Sequence, residues 1–159
     1  MSTSEWVLLA YRLPREPSTP RISVWRKLRR LGAVQLVDGL VALPAGADTV
    51  EAFDWLAEEV IEARGEAWTW RATSGSKAQE QSLRQRMSTA VAREYQALID
   101  EANDSAVGGS RRTIERLRRE YRRIESRDHF APTEHETARR AIERLLRTPD
   151  PAAADTARR

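Results

Sequence analysis

The spacing of apolar residues along this chain predicts an α+β fold: a small sheet with two helices, followed by a helical extension. Three observations carry that expectation. Over the first 75 residues, short apolar runs with strand spacing alternate with stretches of helical period. Asp38-Gly39 stands between two apolar runs, the short-range mark of a β-hairpin. From Ser76 onward the period becomes that of long helices and strand-like runs stop.

In order, residues 6–11 (WVLLAY) form a short apolar run bounded by polar residues, which predicts a buried strand. A loop with two prolines follows, and a helix over residues 20–31 takes Thr19 as N-cap and Pro20 as its first position, stopping before Gly32. At about 100° per residue, Ile22, Val24, Trp25, Leu28 and Leu31 share one half of that helix, and Arg26, Lys27 and Arg30 the other. Residues 33–37 and 40–43 are the arms of the hairpin, whose Asp-Gly corner predicts a type I′ turn. Asp48 with Glu51 opens a second helix in the manner of a capping box. Phe53, Leu56, Ala57, Val60 and Ile61 give that helix its apolar stripe, and Gly65 ends it. Residues 67–72 (AWTWRA) read as a last strand, rich in aromatic and β-branched side chains. The order βαββαβ is that of a ferredoxin-like domain, one antiparallel sheet with two helices on one face.

Ser76 with Gln79 caps a long third helix whose seam is Leu83, Met87, Val91, Tyr95 and Leu98. Residues 104–110 break it. A fourth helix over about 111–126 carries Ile114, Leu117, Tyr121 and Ile124, and a fifth, opened by Pro132-Thr133 with Glu136, carries Ala138, Ala141, Ile142 and Leu145. Narrow stripes predict a helical hairpin packed on itself or on the sheet domain. The expected domains are therefore residues 1–75 for the α+β part, 76–147 for the helical extension, and 148–159 as a disordered, Pro- and Ala-rich tail.

Composition narrows the chemistry. A hydrophobic fraction of 40% beside 32% charged residues fits a folded core under a highly charged exterior. No apolar run reaches the roughly 18 residues of a membrane helix, and no basic segment precedes an apolar one at the N-terminus, so the expected location is the cytoplasm. With no cysteine, thiol catalysis, disulfides and cysteine-ligated metals are excluded. His129 and His135 lie six apart and do not share a helix face, and no Gly-rich phosphate loop or nucleophile elbow occurs. The expectation is a protein without cofactor or metal that is not an enzyme.

A net charge of +3 conceals two basic segments. Residues 1–44 carry seven Lys/Arg against three Asp/Glu, with no acidic residue between Pro17 and Val37. Residues 111–127 carry eight against three, whereas residues 45–75 carry two against seven. Arginine dominates, and its planar fork binds phosphates and tetrahedral oxyanions bidentately. The first candidate site is Arg12, Arg15, Arg21, Arg26, Lys27 and Arg30, with the positive N-terminal end of the first helix close by. A second basic surface is Arg111, Arg112, Arg118, Arg119 and Arg122, for which ion pairing with the acidic second helix is an equal explanation. Four of the tryptophans, Trp25, Trp55, Trp68 and Trp70, read as core or interface residues; an exposed indole beside arginines would stack bases instead.

Residues 6–44, WVLLAYRLPREPSTPRISVWRKLRRLGAVQLVDGLVALP, resemble the opening of the ChrB-type chromate-resistance proteins, and the likeness continues more weakly to about residue 147. The resemblance implies a regulator that represses a chromate-efflux operon and releases it in chromate. Many family members have a further C-terminal domain, so this chain is expected to be a DNA-binding or partner-binding half. More distantly, residues 1–72 resemble the domain shared by PaaX-type repressors and the small CRISPR adaptation nucleases. Those nucleases place a metal-binding aspartate in a strand-one Tyr-Asp pair; here the pair is Tyr11-Arg12, and an arginine cannot ligate magnesium. The tendency of that fold to form homodimers carries over. The leading expectation is DNA as partner. The alternative is a scaffold or sensor without DNA affinity, in which Arg12, Arg15 and Arg21 cradle chromate or sulfate.

Overall fold

A computed structural model describes residues 4–105 and 109–147. The tail at 148–159 and part of the break at 104–110 lie outside the described residues. Contacts divide the chain into two compact units, residues 1–87 and 88–159, with the boundary inside the third helix.

In the first unit the order is β1 (Glu5–Arg12), α1 (Thr19–Leu31), β2 (Val34–Val37), β3 (Leu40–Pro44), α2 (Ala47–Glu62) and β4 (Glu66–Thr73). The four strands form one antiparallel sheet in the order β2-β3-β1-β4. Strand alternation sorts their side chains into two sets. Val7 and Leu9 stand opposite Leu43 and Val41 and are buried together with Val24 and Leu28 of α1 and Phe53, Leu56 and Val60 of α2. Trp6, Leu8, Ala10 and Arg12 point the other way, with Ala72, Trp70, Trp68 and Glu66 as their cross-strand partners on β4.

Three local expectations change in detail. Thr19 is the first helical residue and Ser18 the N-cap, so Pro20 takes the second position; it lacks an N–H, and there its donor would have had no helical acceptor either. At α2 the cap comes from Thr49, not from Asp48 with Glu51: its Oγ1 accepts the Gly46 N–H at 2.9 Å and donates to the Pro44 carbonyl at 2.7 Å. At the hairpin only Gly39 has a positive φ, 74°, so the corner is not type I′, and a register shift between Gln35 and Val37 absorbs the difference.

Two glycines let the chain close over the end of β1. A Cβ on Gly39 would lie 2.5 Å from the Tyr11 carbonyl oxygen, and one on Gly65 would lie 2.4 Å from that of Arg12. Gly65 also donates its N–H to Val60 O at 2.8 Å, ending α2 and turning the chain into β4. Gly65→Ala is expected to destabilise the first unit by about 2 kcal/mol, the usual cost of overpacking against backbone that cannot yield. Denaturant unfolding followed by tryptophan fluorescence reads this out, since all five tryptophans lie at or before residue 70.

The helix α3 (Lys77–Asp104) begins where expected: Ser76 Oγ accepts the Gln79 N–H at 3.2 Å, and Gln79 reaches back to the Gly75 N–H at 3.0 Å. Its first turns belong to the first unit. Glu80 accepts from the indole of Trp6 at 2.7 Å and from Ser74 at 2.9 Å, and it pairs with Arg84 at 3.0 Å.

In the second unit, α4 (Arg111–Glu125) and α5 (Thr133–Arg147) do not stand as a simple hairpin. They share one core with the later half of α3: Val91, Tyr95, Leu98, Ile99 and Ala102 join Leu117, Ile124, Ala138, Ala141, Ile142 and Leu145. Each helix supplies buried residues to this one core, and three helices close it where two would leave a side wet. Tyr95 donates its hydroxyl to Asp128 at 3.1 Å, and burial beside that carboxylate raises its pKa. Tyr121 meets His135 at 2.9 Å and is pushed up to about 12, mainly by burial and then by Glu125.

Candidate nucleic-acid interface

The first basic set rests on α1. Val24 and Leu28 anchor this helix in the core, and Lys27 is tied down beside them: its Nζ meets Glu59 of α2 at 2.5 Å, and Ser23 donates to the same carboxylate at 2.8 Å. Burial favours the protonated form of Glu59, yet the bonds from Lys27 and Ser23 prevail and lower its pKa. These ties set the rotation of α1, so that Ile22, Trp25, Arg26, Arg29 and Arg30 face water.

Trp25 is 53% exposed rather than core, and the Arg29 guanidinium lies 5.0 Å from its ring centroid. The flat cationic and aromatic pair is a suitable platform for a base or sugar beside phosphates. Among the described residues, Arg15, Arg21, Arg26 and Arg30 have no carboxylate within ion-pair distance. Arg21 lies near Tyr11, whose pKa burial raises while the guanidinium draws it down. Across the groove on the other flank of α1, Asp48, Glu51, Glu58 and Glu62 of α2 face Lys27 and Arg30. A polyanion therefore meets attraction from Arg15, Arg21, Arg26 and Arg30 and repulsion from the α2 carboxylates beyond Arg30.

Of the six residues expected to act together, two stand apart. Arg12 alternates away from Tyr11 to the opposite side of the sheet and pairs with Glu66 at 2.7 Å. Lys27 belongs to Glu59. Trp25 is the addition, beside Arg29 of the same basic segment, and the helical wheel held a signal for it: Trp25 sits about 100° from Val24, at the margin of the buried stripe.

The second basic surface follows α4. Arg111 pairs with Glu115 at 3.4 Å, and Arg116 with Glu101 of α3. Arg123 pairs with Glu120 at 2.7 Å, and Arg127 with Glu94. The acidic partners of these four arginines come from α3 and α4. Arg112, Arg118, Arg119 and Arg122 are exposed without an ion pair among the described residues.

The family model described as "Protein ChrB, N-terminal" matches residues 21–108, more than half of the chain. This chain belongs to the ChrB N-terminal family. Protein ChrB of Cupriavidus metallidurans is 30% identical over 101 residues, a stretch that covers 64% of this chain and 28% of that relative. The chain thus spans well under two thirds of the curated ChrB protein it matches. No solved structure matches. The segment matched by the family model includes Arg21, Trp25, Arg26, Arg29 and Arg30 and ends at residue 108, short of the α4 arginines.

Proposed function

We propose that this ChrB-family chain is a DNA-binding regulatory module of chromate resistance, acting in the cytoplasm by binding and not by catalysis. Its sheet unit we read as ferredoxin-like, on the strength of the βαββαβ order and the strand order β2-β3-β1-β4. We read the working form as a homodimer. The observation that carries the DNA reading is the exposed face of α1: arginines without acidic partners among the described residues, no acidic residue anywhere on the helix, and Trp25 stacked under Arg29. The alternative cradle for chromate or sulfate has less support, because Arg12 is engaged by Glu66 away from Arg21.

Titration of labelled duplex DNA at rising salt tests this. If about four phosphates are held per chain by Arg15, Arg21, Arg26 and Arg30, log affinity falls linearly with log salt at a slope of about −3.6 per chain. An affinity that does not respond to salt, or no binding at about 50 mM salt, would sink the DNA reading.

A further inference from the structure

The side of the sheet turned away from the core shared with α1 and α2 is covered only in part. At one end Trp6 is buried, its indole held by Glu80 of α3. Toward the other end Trp68 and Trp70 are 67% and 60% exposed on β4, beside Leu8, Ala10 and Leu40. Beside Trp6, between the sheet and α3, lies an open cleft of about 380 Å³ whose lining includes Trp6, Leu8, Leu36, Ala72, Ser82 and Leu83. A cleft of that size takes a ring system.

We propose that this face is a self-association surface: the Trp68 and Trp70 indoles of one copy fill the cleft between sheet and α3 of a second copy, and reciprocally. Three features select a second copy over other occupants. The strand residues of this face carry only one pair of charges, Arg12 with Glu66, which neutralise each other. A nucleic acid would find stacking surface there but no unpaired cation on the strands for its phosphates. A projecting apolar group beside an apolar recess is also what a two-fold axis requires, because each patch must present both halves of the contact. The two indoles expose about 300 Å² between them, on the usual area of an aromatic side chain. That is a large part of the roughly 800 Å² per partner in a stable interface. This names a surface for the homodimer proposed above and leaves the α1 arginines free, so failure here does not touch the DNA reading.

Sedimentation equilibrium of the full chain tests it, with the intrinsic tryptophan emission recorded over the same concentrations. The wild type is expected to approach twice the chain mass of 18.1 kDa, with emission shifting to the blue as the indoles leave water. Trp68→Ala/Trp70→Ala should weaken association about a hundredfold or more, as removal of paired aromatic anchors does. Ser82→Trp, which fills the cleft with the chain's own indole and leaves Trp68 and Trp70 in place, should weaken it as well. Arg26→Ala/Arg30→Ala should leave the mass unchanged. A wild type that stays monomeric at about 100 μM overturns the proposal, as does a dimer that survives either the double tryptophan change or Ser82→Trp in protein with unchanged circular dichroism.

Discussion

Replacing Arg26 and Arg30 together by alanine is expected to lower the affinity of the chain for duplex DNA about a hundredfold at low salt. Both guanidinium groups face water and have no ion pair among the described residues, so the change breaks no ion pair of the described fold. A hydrogen bond to a charged group is worth about 1.5–3 kcal/mol, and two at the lower end amount to about 3 kcal/mol, or two decades in the dissociation constant. Each phosphate given up also removes about 0.9 from the salt slope, so the double variant should read about 2 lower than wild type. A loss confined to one DNA sequence would point to base contacts; a uniform loss with the lowered slope is the result expected of phosphate contacts. Arg118→Ala/Arg122→Ala is the matched control on α4. If this second pair abolishes binding while the first leaves it intact, the interface lies on α4 and the assignment to α1 is wrong.

Glu80→Ala is expected to cost the first unit about 3 kcal/mol at pH 7. The carboxylate is 13% exposed and takes hydrogen bonds from the Trp6 indole, Ser74 and Arg84, so its removal strips a charged acceptor from several donors at once. Burial alone would raise its pKa, but the bonds from Trp6, Ser74, Arg84 and Ser4 outweigh it and bring the group down to about 2. A carboxyl with a folded pKa below its unfolded value contributes stability that is complete above about pH 4.5 and is lost as pH falls toward 2. The stability difference between wild type and Glu80→Gln should therefore be constant from pH 7 to about 5 and shrink toward pH 2. Glu136, also lowered to about 2 by Arg139 and Arg140, titrates in both proteins and cancels in that difference. A difference that stays level down to pH 2 would mean that Glu80 acts there as a neutral hydrogen-bonding group.

The elements that the sequence made legible are those governed by local periodicity. Strand spacing at 6–11, the Asp-Gly corner, the Ser76–Gln79 cap and the stripes of α3, α4 and α5 all depend on neighbours within about four positions, and the structure places each element within a residue or two of expectation. Departures came where a residue from elsewhere in the chain intervened. Thr49 outcompeted Glu51 for the α2 cap because its short side chain reaches both Gly46 and the Pro44 carbonyl at the end of β3. Of the core or interface places expected for Trp25, Trp55, Trp68 and Trp70, the structure removes the core, since all four are more than half exposed, whereas Trp6 is 2% exposed. Hydrophobicity does not report which side of a strand a later helix will cover, and here α3 covers one end of the sheet face and leaves the other open.

The candidate site divides in the same way. By itself the sequence determined that α1 is a basic helix without acidic residues, that cysteine chemistry is absent, and that residues 6–44 carry the ChrB likeness, since composition and pattern are properties of the string. Only the tertiary structure decided which arginines are available. Arg12 and Lys27 look equivalent to Arg26 and Arg30 in one dimension, but strand alternation turns Arg12 toward Glu66, and the packing of α1 on α2 brings Lys27 to Glu59. Charge pairing falls off over a few ångströms in space, whereas these partners lie 54 and 32 residues away along the chain.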